Sequence, residues 1–343
     1  MFGMRLGRFL PLFSPTFDWI QIEITSYCNA ACIYCPRTAY KNSWSNRHLP
    51  FNVFMELLPT LSRAKHLHLQ GWGEPLLNPD FFKMASLAKK EGLRVGTTTN
   101  GMLLDQGKSA RLIETGVDII AFSLAGSHEK SNDTIRRGTQ FSDVMRAIET
   151  LTKEKIKRQR NKPVIHIAYM VFKSGMNDLE KIPRLLAEVG VSQVVLSTLD
   201  FVASEELQSE VIRPSSQKEY TETASYFHSL VKEGEKRGLH IHYYLPPFNS
   251  EGLFCTENVQ KAFCIASDGA ITPCVFTNLQ VGNEFHFLQG EKQTYRGMSF
   301  GNVQDQSPLV IWNNEAYKNF RNSFSTKSLA PACTGCPKIG QEA

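Results

Sequence analysis

The sequence has little that would place the chain in a membrane or on nucleic acid. No apolar run approaches the roughly 20 residues that a membrane-spanning helix needs. The first 15 residues contain a short apolar run broken by Pro11, without the apolar core and cleavage site of a signal peptide. The 38 basic and 33 acidic residues give a net charge of +5, and the basic stretch 153–162 has no interleaved aromatics. We therefore expect no membrane span, no nucleic-acid partner and a helix end at 153–162.

The eight cysteines are too unevenly spaced for a disulfide framework. They form three groups, at positions 28, 32 and 35, at 255, 264 and 274, and at 333 and 336. Disulfide scaffolds are typical of short secreted chains, and this chain lacks a secretion signal. A cytoplasmic protein with reduced, metal-binding thiolates is the interpretation that we favour. No internal repeat or low-complexity tract is visible.

Short β-branched runs alternate with helical patterns in the first two thirds of the chain. Six such β-then-α units in succession predict a parallel sheet with right-handed crossovers, as in a barrel or a doubly wound fold. The predicted strands are 20–25, 66–70, 94–98, 119–124, 164–171 and 193–198.

Glycines and caps predict where the helices end and begin. Helical patterns stop at Gly92 and Gly190, and Asn177 with Glu180 resembles a capping box at the start of the second one. A long charged helix is predicted at 216–237, after which the βα rhythm stops. Further predictions are a hairpin at Asp268-Gly269 and a division into an extension (1–19), a barrel (20–245) and a small C-terminal domain (246–343).

The stretch CNAACIYC brings Cys28, Cys32 and Cys35 together directly after the first predicted strand. A structural zinc site uses four protein ligands, so zinc would need a fourth ligand from elsewhere in the chain. A [4Fe-4S] cluster held by three thiolates instead keeps one iron open for an exogenous ligand. Both interpretations are open at this point.

This stretch resembles the CxxxCxxC signature of radical S-adenosylmethionine (SAM) enzymes. The resemblance implies a partial (β/α)6 barrel and a cluster whose open iron chelates SAM. Reductive cleavage of SAM then gives a 5′-deoxyadenosyl radical that abstracts hydrogen from the substrate. It also implies a cofactor contact for Tyr34, which lies within the cysteine motif.

Two further stretches resemble cofactor-binding motifs of the same family, each at the end of a predicted strand. GWGEPLL resembles the Gly-Gly-Glu-Pro motif, with Gly73 and Glu74 near the SAM ammonium group and Trp72 in place of the first glycine. TTTNG places Asn100 near the cofactor. The carboxyl ends of parallel strands share one face of a barrel, so these motifs are expected to meet.

In the unit after the fourth predicted strand, a serine and an arginine resemble groups that hold the ribose and the carboxylate of SAM. They are Ser123 and Arg136, although Arg137 competes with Arg136 for the second role and one of the pair is expected on the surface. Asn177 is a further candidate ribose contact, and its possible helix-capping role is the better-supported interpretation.

The C-terminal cysteines and the segment GNV…IWNN…Y…FR resemble the SPASM or twitch extension of radical SAM enzymes. The resemblance implies one auxiliary [4Fe-4S] cluster with Cys264, Cys274, Cys333 and Cys336 as ligands, because the chain ends seven residues after Cys336. Cys255 is a replacement ligand, a buried thiol or a hydrogen-atom donor.

The expected reaction is oxidative maturation of a peptide, protein or cofactor, with a flavodoxin or ferredoxin as reductant. Alternatives are dehydrogenation or epimerisation of a small molecule such as a sugar or aminocyclitol, and a non-catalytic metal-binding scaffold. Part of the sequence also resembles proteins that modify the cofactor of tungsten oxidoreductases. The first strand begins early, which disfavours a fused peptide-recognition domain, and residues 277–300 are a candidate substrate cover.

Overall fold

The computed structural model describes residues 16–245, 254–282, 284–326 and 328–340. Its strands are β1 Phe17–Ile22, β2 Ala64–Leu69, β3 Arg94–Thr99, β4 Ile119–Leu124, β5 Val164–Met170, β6 Gln193–Ser197, β7 His240–Tyr243, β8 Phe254–Cys255, β9 Ala262–Ile265, β10 Ile271–Thr272, β11 Phe285–Leu288, β12 Glu291–Thr294 and β13 Ile339–Gly340. Its α-helices are α1 Pro36–Ala39, α2 Phe51–Leu61, α3 Phe81–Lys90, α4 Gln106–Thr115, α5 Glu129–Ile135, α6 Phe141–Lys157, α7 Ile182–Ala187, α8 Gln217–Glu235, α9 Pro308–Asn313 and α10 Glu315–Thr326.

A parallel sheet with helical crossovers forms the body of the molecule, as the alternating pattern predicts. Strands β1 to β7 lie in sequence order, and each pairs in parallel with the next. On its helix-facing side, the sheet buries a continuous layer of apolar side chains that are 0% exposed, such as Ile20, Leu67 and Phe122. The helices cover this layer, which is the physical reason for the βα alternation.

The sheet differs from the predicted one at both ends of the barrel unit. β7 is a seventh parallel strand, where the sequence predicted that the βα rhythm had ended, and it pairs with β6 over His240–Tyr243. β1 begins at Phe17, three residues before the predicted start at residue 20. The alternation rule underestimated β7 because the strand has only four residues and three of them are polar or aromatic.

Helix ends follow the predicted chemistry in most places. The α3 helix ends just before Gly92, whose φ is +84°, and α8 begins after the N-cap Ser216, which accepts a hydrogen bond from the Glu219 amide. α6 ends at Lys157, within the basic stretch predicted as a helix end.

The predicted capping box at Asn177 and Glu180 is wrong. Both residues lie inside a 3₁₀ segment, Lys173–Lys181, and the α-helix begins only at Ile182. Pro183 fits this later start, because proline is favoured in the first turn of an α-helix, where its missing N–H breaks no intrahelical hydrogen bond.

The C-terminal part joins the barrel sheet directly. β9 pairs in parallel with β1, and β10 pairs with β9 through the predicted hairpin, so the described residues form one nine-stranded sheet. Gly269 in the hairpin has φ +86°, a conformation that favours glycine. The boundary predicted at 245/246 lies beside residues 246–253, outside the described ranges.

A second hairpin, β11–β12, covers the carboxyl end of the barrel. Phe287 of this hairpin forms an isolated bridge with Val202, which follows β6. The Tyr40 hydroxyl donates a hydrogen bond of 2.7 Å to the Phe285 carbonyl. The hairpin therefore lies over the loops that follow the barrel strands. No helix in the described ranges is long and apolar enough to cross a membrane.

Candidate functional site

The loop after β1 holds three thiols in a fixed backbone turn. The Cys35 amide donates to the Cys32 carbonyl at 3.1 Å. The Arg37 guanidinium folds back on the loop and donates to the carbonyls of Cys28 and Ala30 at 2.9 and 3.1 Å. Arg37 was not predicted, and its position two residues after the third cysteine was the available signal.

The opposite side of this loop is packed against the end of α5. The Ala31 amide donates to the Arg137 carbonyl at 2.7 Å, and the Ile33 amide donates to the Ile135 carbonyl at 2.9 Å. A Cβ on Gly138 would lie only 3.2 Å from the Ala30 Cα, and Gly138 also has φ +82°. The cysteine loop is therefore a preformed element.

Burial disfavours the charged form of two thiols of this loop, Cys28 and Cys35. Burial raises the pKa of Cys28, and burial together with the neighbouring Cys32 raises the pKa of Cys35 to about 12. Iron binds the thiolate, so loading a cluster must displace these protons. The backbone amide of Ala30 already donates to the Cys28 sulfur at 3.4 Å, and the Arg37 amide favours the Cys35 thiolate.

The GWGEP loop lies beside the cysteine loop because Gly73 allows a close approach. A Cβ at this position would meet the Thr25 carbonyl oxygen at 2.3 Å and the Tyr27 carbonyl oxygen at 2.6 Å. The next amide, that of Glu74, donates to the same Tyr27 carbonyl at 2.8 Å. Any side chain at residue 73 would push the two loops apart.

The Glu74 carboxylate connects the GWGEP loop to the end of β3. Its Oε1 accepts from the Thr99 hydroxyl at 2.7 Å, and its Oε2 accepts from the Asn100 amide at 2.7 Å. The side chain is buried, and burial raises its pKa despite these hydrogen bonds. Both oxygens are thus committed within the protein, which makes Glu74 a determinant of loop shape.

Asn100 reaches back to the cysteine loop. Its Nδ2 donates to Asn29 Oδ1 at 2.7 Å and lies 3.9 Å from the Cys28 sulfur. The predicted meeting of the β1 and β3 loops is therefore present in the structure. The contact gives Asn100 a position between the thiols and the adjoining cavity.

Arg136 points inward and Arg137 points outward, which answers the question left open by the sequence. Arg136 is 5% exposed and donates to the Tyr34 hydroxyl, whereas Arg137 is exposed. Burial opposes the charge of Arg136, but Tyr34 and the three nearby thiols raise its pKa overall. Burial also raises the pKa of Tyr34. The pair is a cation and a phenol that face the cysteines.

These side chains surround one cavity of about 290 Å³, which we call the SAM-side cavity. Two residues that line it, Arg37 and Arg136, each have a buried Nε donor without a hydrogen-bond acceptor in the described ranges. Of the predicted residues, the structure brings together Cys28, Cys32, Cys35, Tyr34, Gly73, Glu74, Asn100, Ser123 and Arg136. Gln70, Thr98 and Trp72 also line it and were not predicted as contacts.

Asn177 does not belong to this group. It is exposed, on the 3₁₀ segment after β5, and does not line the cavity. Its side chain does not cap the α-helix that begins at Ile182.

The remaining cysteines line a second cavity of about 580 Å³, which we call the auxiliary cavity. Four of them face it, and the set differs from the predicted one by a single exchange. Cys255 lines the cavity and Cys264 does not. The cysteines that face it are Cys255, Cys274, Cys333 and Cys336.

Cys264 does not line the auxiliary cavity. It lies in β9, between Gln21 of β1 and Thr272 of β10, and is 5% exposed. Burial and the charges of Glu257 and Glu23 raise the pKa of its thiol. Burial also raises the pKa of the Cys274 thiol, and Cys264 is nevertheless close enough to Cys274 to contribute to this rise.

Cys255 and Cys336 share a feature with the first cysteine loop. The amide of Glu257 favours the Cys255 thiolate, and the amide of Lys338 favours the Cys336 thiolate. In both cases, as at Cys28 and Cys35, the amide belongs to the residue two positions later in the chain. Hydrogen bonds to cysteine sulfurs tune iron–sulfur clusters, so this repeated geometry fits cluster ligands.

The donor sets fit iron–sulfur clusters at both places. In the described ranges, no three His, Cys, Asp or Glu side chains are arranged to hold a single metal ion. Three thiols border the SAM-side cavity and four border the auxiliary cavity. These numbers correspond to a cluster with one open iron and to a fully ligated cluster, respectively.

Trp72 connects the two cavities. Its ring lines the SAM-side cavity, its indole N–H donates to the Val275 carbonyl at 3.2 Å, and its ring centroid lies 5.8 Å from that of Phe276. Phe276 in turn lines the auxiliary cavity. Trp72, which stands in place of the first glycine of the motif, therefore links the linings of the two cavities.

The buried Glu23 carboxylate fixes the same junction. It accepts from the Trp72 amide at 2.8 Å and from the Ser267 hydroxyl at 2.9 Å, so it joins the GWGEP loop to the β9–β10 hairpin. Burial raises its pKa. A Cβ on Gly71 would lie 2.3 Å from the Glu23 Cγ, so this position also requires glycine.

Comparisons with known proteins agree with this geometry. The profile of the Radical SAM superfamily matches residues 22–186, and that of SPASM, an iron–sulfur cluster-binding domain, matches residues 255–337. These ranges contain the first cysteine loop and the four cysteines of the auxiliary cavity, respectively.

Two relatives match along almost their whole length. The chain is 28% identical to a tungsten-containing aldehyde ferredoxin oxidoreductase cofactor-modifying protein of Pyrococcus furiosus, covering 93% of this chain and 86% of the relative. It is 24% identical to an AdoMet-dependent heme synthase of Methanosarcina barkeri, covering 92% and 87%. Among solved structures, SuiB of Streptococcus suis bound to S-adenosylmethionine shares the fold with a TM-score of 0.67 at 14% identity, over 89% of this chain and 68% of SuiB.

The matched ranges and the two cysteine-lined cavities identify the cofactors as a SAM-binding [4Fe-4S] cluster and auxiliary iron–sulfur ligation. The chain thus combines a domain of the radical SAM superfamily with a C-terminal SPASM iron–sulfur cluster-binding domain.

Proposed function

We propose that this chain is a radical SAM oxidoreductase that carries out the oxidative maturation of a cofactor. When bound, the reduced cluster and SAM supply a 5′-deoxyadenosyl radical, which removes a hydrogen atom from the substrate. The observation that carries the proposal is the SAM-side cavity. Three preformed thiols border a space in which two buried arginine nitrogens lack partners.

The residues around this cavity have separable roles in the proposal. Cys28, Cys32 and Cys35 hold the cluster, and Arg136 pairs with the carboxylate of SAM, because a guanidinium matches a carboxylate in geometry and charge. Ser123 and Asn100 hold the ribose side. Tyr34, Gly73 and Glu74 shape the cavity wall, with the backbone near Gly73 available to the SAM ammonium group.

The auxiliary cavity is proposed to hold one fully ligated cluster. Its ligands are Cys255, Cys274, Cys333 and Cys336, and Cys264 is a buried structural thiol. This arrangement supports electron acceptance rather than SAM binding, because a fully ligated cluster has no open iron. It favours a net oxidation over an epimerisation in which Cys255 returns a hydrogen atom, since a ligating thiol is not free to do so.

A cofactor is a better-supported substrate class than a peptide. The two relatives that match along nearly the whole chain are described as a cofactor-modifying protein and a heme synthase. A flavodoxin or ferredoxin is the proposed electron source, and the cytoplasm the proposed location, in keeping with eight reduced cysteines.

The test is anaerobic reconstitution with iron and sulfide, followed by reduction and addition of SAM. The proposal expects 5′-deoxyadenosine from the wild-type protein and none from a Cys32→Ala variant. A Cys264→Ala variant serves as the matched control, because it removes a buried thiol outside both cavities, and it is expected to retain product formation. Reconstituted wild-type protein that holds iron but forms no 5′-deoxyadenosine would contradict the proposal.

A further inference from the structure

The auxiliary cavity has two chemically different sets of lining residues. It is lined by four cysteines and by a group of rings, Phe201, Phe276, His286 and Tyr295, which we call the aromatic end. At about 580 Å³, it has twice the volume of the SAM-side cavity, at about 290 Å³. A cluster held by the four cysteines leaves the aromatic end without an assigned occupant.

The aromatic end is a stack of parallel rings. Phe201 lies between Phe276 and His286, with ring centroids 6.3 and 5.3 Å apart and an interplanar angle of 15° in both pairs. Tyr295 stands edge-on to Phe201 and to His286, at 77°. Such a stack presents flat ring faces, which favour a planar unsaturated partner through offset stacking.

A polar atom in this stack lacks a partner. The Nδ1 atom of His286 is buried without a hydrogen bond in the described structure. Burial lowers the pKa of His286, which keeps the imidazole neutral. Because leaving a buried polar atom unsatisfied is unfavourable, the free Nδ1 indicates a hydrogen-bonding partner that binds there.

The rim of the same cavity carries a cation without an opposite charge. Arg296 lines the cavity and is exposed, and no carboxylate in the described ranges forms an ion pair with it. Lys338, the other cation of this cavity, is already paired with Asp200 at 2.8 Å and Glu257 at 3.7 Å. Arg296 is therefore the cation available to an anionic ligand.

The aromatic end adjoins the place where SAM is proposed to react. Phe276 contacts Trp72, and Trp72 lines the SAM-side cavity. A ligand that stacks at the aromatic end would thus lie between the two metal centres. The β11–β12 hairpin carries His286, which lines this cavity.

We propose that the aromatic end of the auxiliary cavity binds the substrate, and that the substrate is a planar unsaturated ring system with an anionic substituent. The ring packs against the rings of the aromatic end, an acceptor on its edge lies in the plane of the imidazole and receives a hydrogen bond from the Nδ1–H of His286, and the anionic group pairs with Arg296. The site is defined by its own geometry, and its role as a substrate site rests on the proposed function.

The experiment measures the binding of four small probes to cluster-loaded protein by anaerobic equilibrium dialysis, without SAM or reductant. The main probe is quinoline-6-carboxylate, which has a planar ring, a ring nitrogen and a carboxylate. Quinoline lacks the charge, 2-naphthoate lacks the ring nitrogen, and decahydronaphthalene-2-carboxylate lacks the flat ring. We expect the first probe to bind about tenfold more tightly than quinoline or the saturated acid, and severalfold more tightly than 2-naphthoate.

The charge contribution is tested with a matched pair of variants. Arg296→Gln is expected to weaken quinoline-6-carboxylate about tenfold and to leave quinoline binding unchanged. Lys292→Gln removes an equally exposed cation on β12, which lies over the Phe285 ring and does not line the cavity. It is expected to leave all four affinities unchanged.

The contribution of His286 is tested with two replacements. His286→Phe keeps a flat ring and should abolish the preference for quinoline-6-carboxylate over 2-naphthoate, while both acids still bind. His286→Leu should weaken both acids further. An iron content equal to that of the wild type confirms that each variant retains its clusters.

The inference is overturned if the wild-type protein does not discriminate among the four probes, or if Arg296→Gln and Lys292→Gln have equal effects. The failure of the proposed function would look different. In that case wild-type protein would form no 5′-deoxyadenosine, while probe discrimination at the aromatic end would persist.

Discussion

The two cysteine-lined cavities are built in opposite ways. The thiols of the SAM-side cavity come from a single eight-residue loop, Cys28–Cys35, that backbone hydrogen bonds hold in one shape. Those of the auxiliary cavity come from positions between 255 and 336, carried by a strand, a hairpin and a loop near the C-terminus. The thiols of the SAM-side cavity are therefore neighbours in the sequence. Those of the auxiliary cavity come together only when the C-terminal part has folded onto the barrel.

This difference affects how cluster binding contributes to the folding stability of the two parts. The auxiliary cavity depends on the pairing of β9 with β1 and on the buried Glu23 and Trp72 contacts. Closing a chain segment of this length costs conformational entropy before any contact is gained. A bound cluster would stabilise the auxiliary part more than it stabilises the preformed loop, since ligand binding and folding are linked there.

The largest expected effect is the loss of activity when the local loop is broken. Replacing Cys28, Cys32 or Cys35 by alanine should abolish 5′-deoxyadenosine formation, because each removes one of three thiolates that the cluster needs. Product is measured by chromatography of quenched reactions. Retention of product in any of the three variants would refute the assignment of this loop.

The next largest effect is the loss of iron from the auxiliary cluster when Cys255, but not Cys264, is replaced by alanine. Cys255→Ala should lower the iron content below about eight per chain, because the auxiliary cluster loses one of its four thiolate ligands. Cys264→Ala should keep about eight irons. Iron analysis and the electron paramagnetic resonance (EPR) spectrum of the reduced protein measure this. The reverse result would restore the ligand set predicted from the sequence.

A smaller effect is expected from the paired arginines that follow β4. Arg136→Gln should weaken SAM binding by at least tenfold, because it removes a buried charge that is available to the carboxylate of SAM. Arg137→Gln, its exposed neighbour, should bind SAM as the wild type does. Equilibrium dialysis with radiolabelled SAM compares the two variants. Equal affinities would remove Arg136 from the site.

The smallest effect concerns the contact between the two cavities. Trp72→Phe keeps an aromatic ring and removes the indole hydrogen bond to Val275, so it should cost about 1 kcal/mol of folding stability. Trp72→Ala also removes the contact with Phe276 and should cost more. Thermal unfolding of the cluster-free proteins ranks the stability of the wild type and the two variants. A neutral Trp72→Ala variant would show that this contact does not hold the junction.

The same contrast explains what the sequence could predict. The three-thiol loop and the residues Gly73, Asn100, Ser123 and Arg136 were predicted because short stretches around them resemble motifs of the radical SAM family, and the structure places them around one cavity. Parallel strands then bring such stretches to one edge without further information. Local pattern and topology are sufficient for this cavity.

The errors concern features that depend on orientation or on tertiary contacts. The sequence favoured Cys264 as a ligand together with Cys274, but Cys255 lines the auxiliary cavity and Cys264 does not. Asn177 has the sequence of a helix cap, yet the α-helix begins after it. Trp72 was seen only as a departure from a motif, because its partner Phe276 is about two hundred residues away.

The most direct test is the EPR response of the reduced clusters to SAM in two single variants. The account predicts that Cys255→Ala protein, which keeps the three-thiol loop, shows a cluster signal that changes when SAM is added. It predicts that any signal of Cys28→Ala protein, which keeps the auxiliary thiols, does not respond. A SAM-dependent change in Cys28→Ala together with none in Cys255→Ala would reverse the roles of the two cavities and contradict the account.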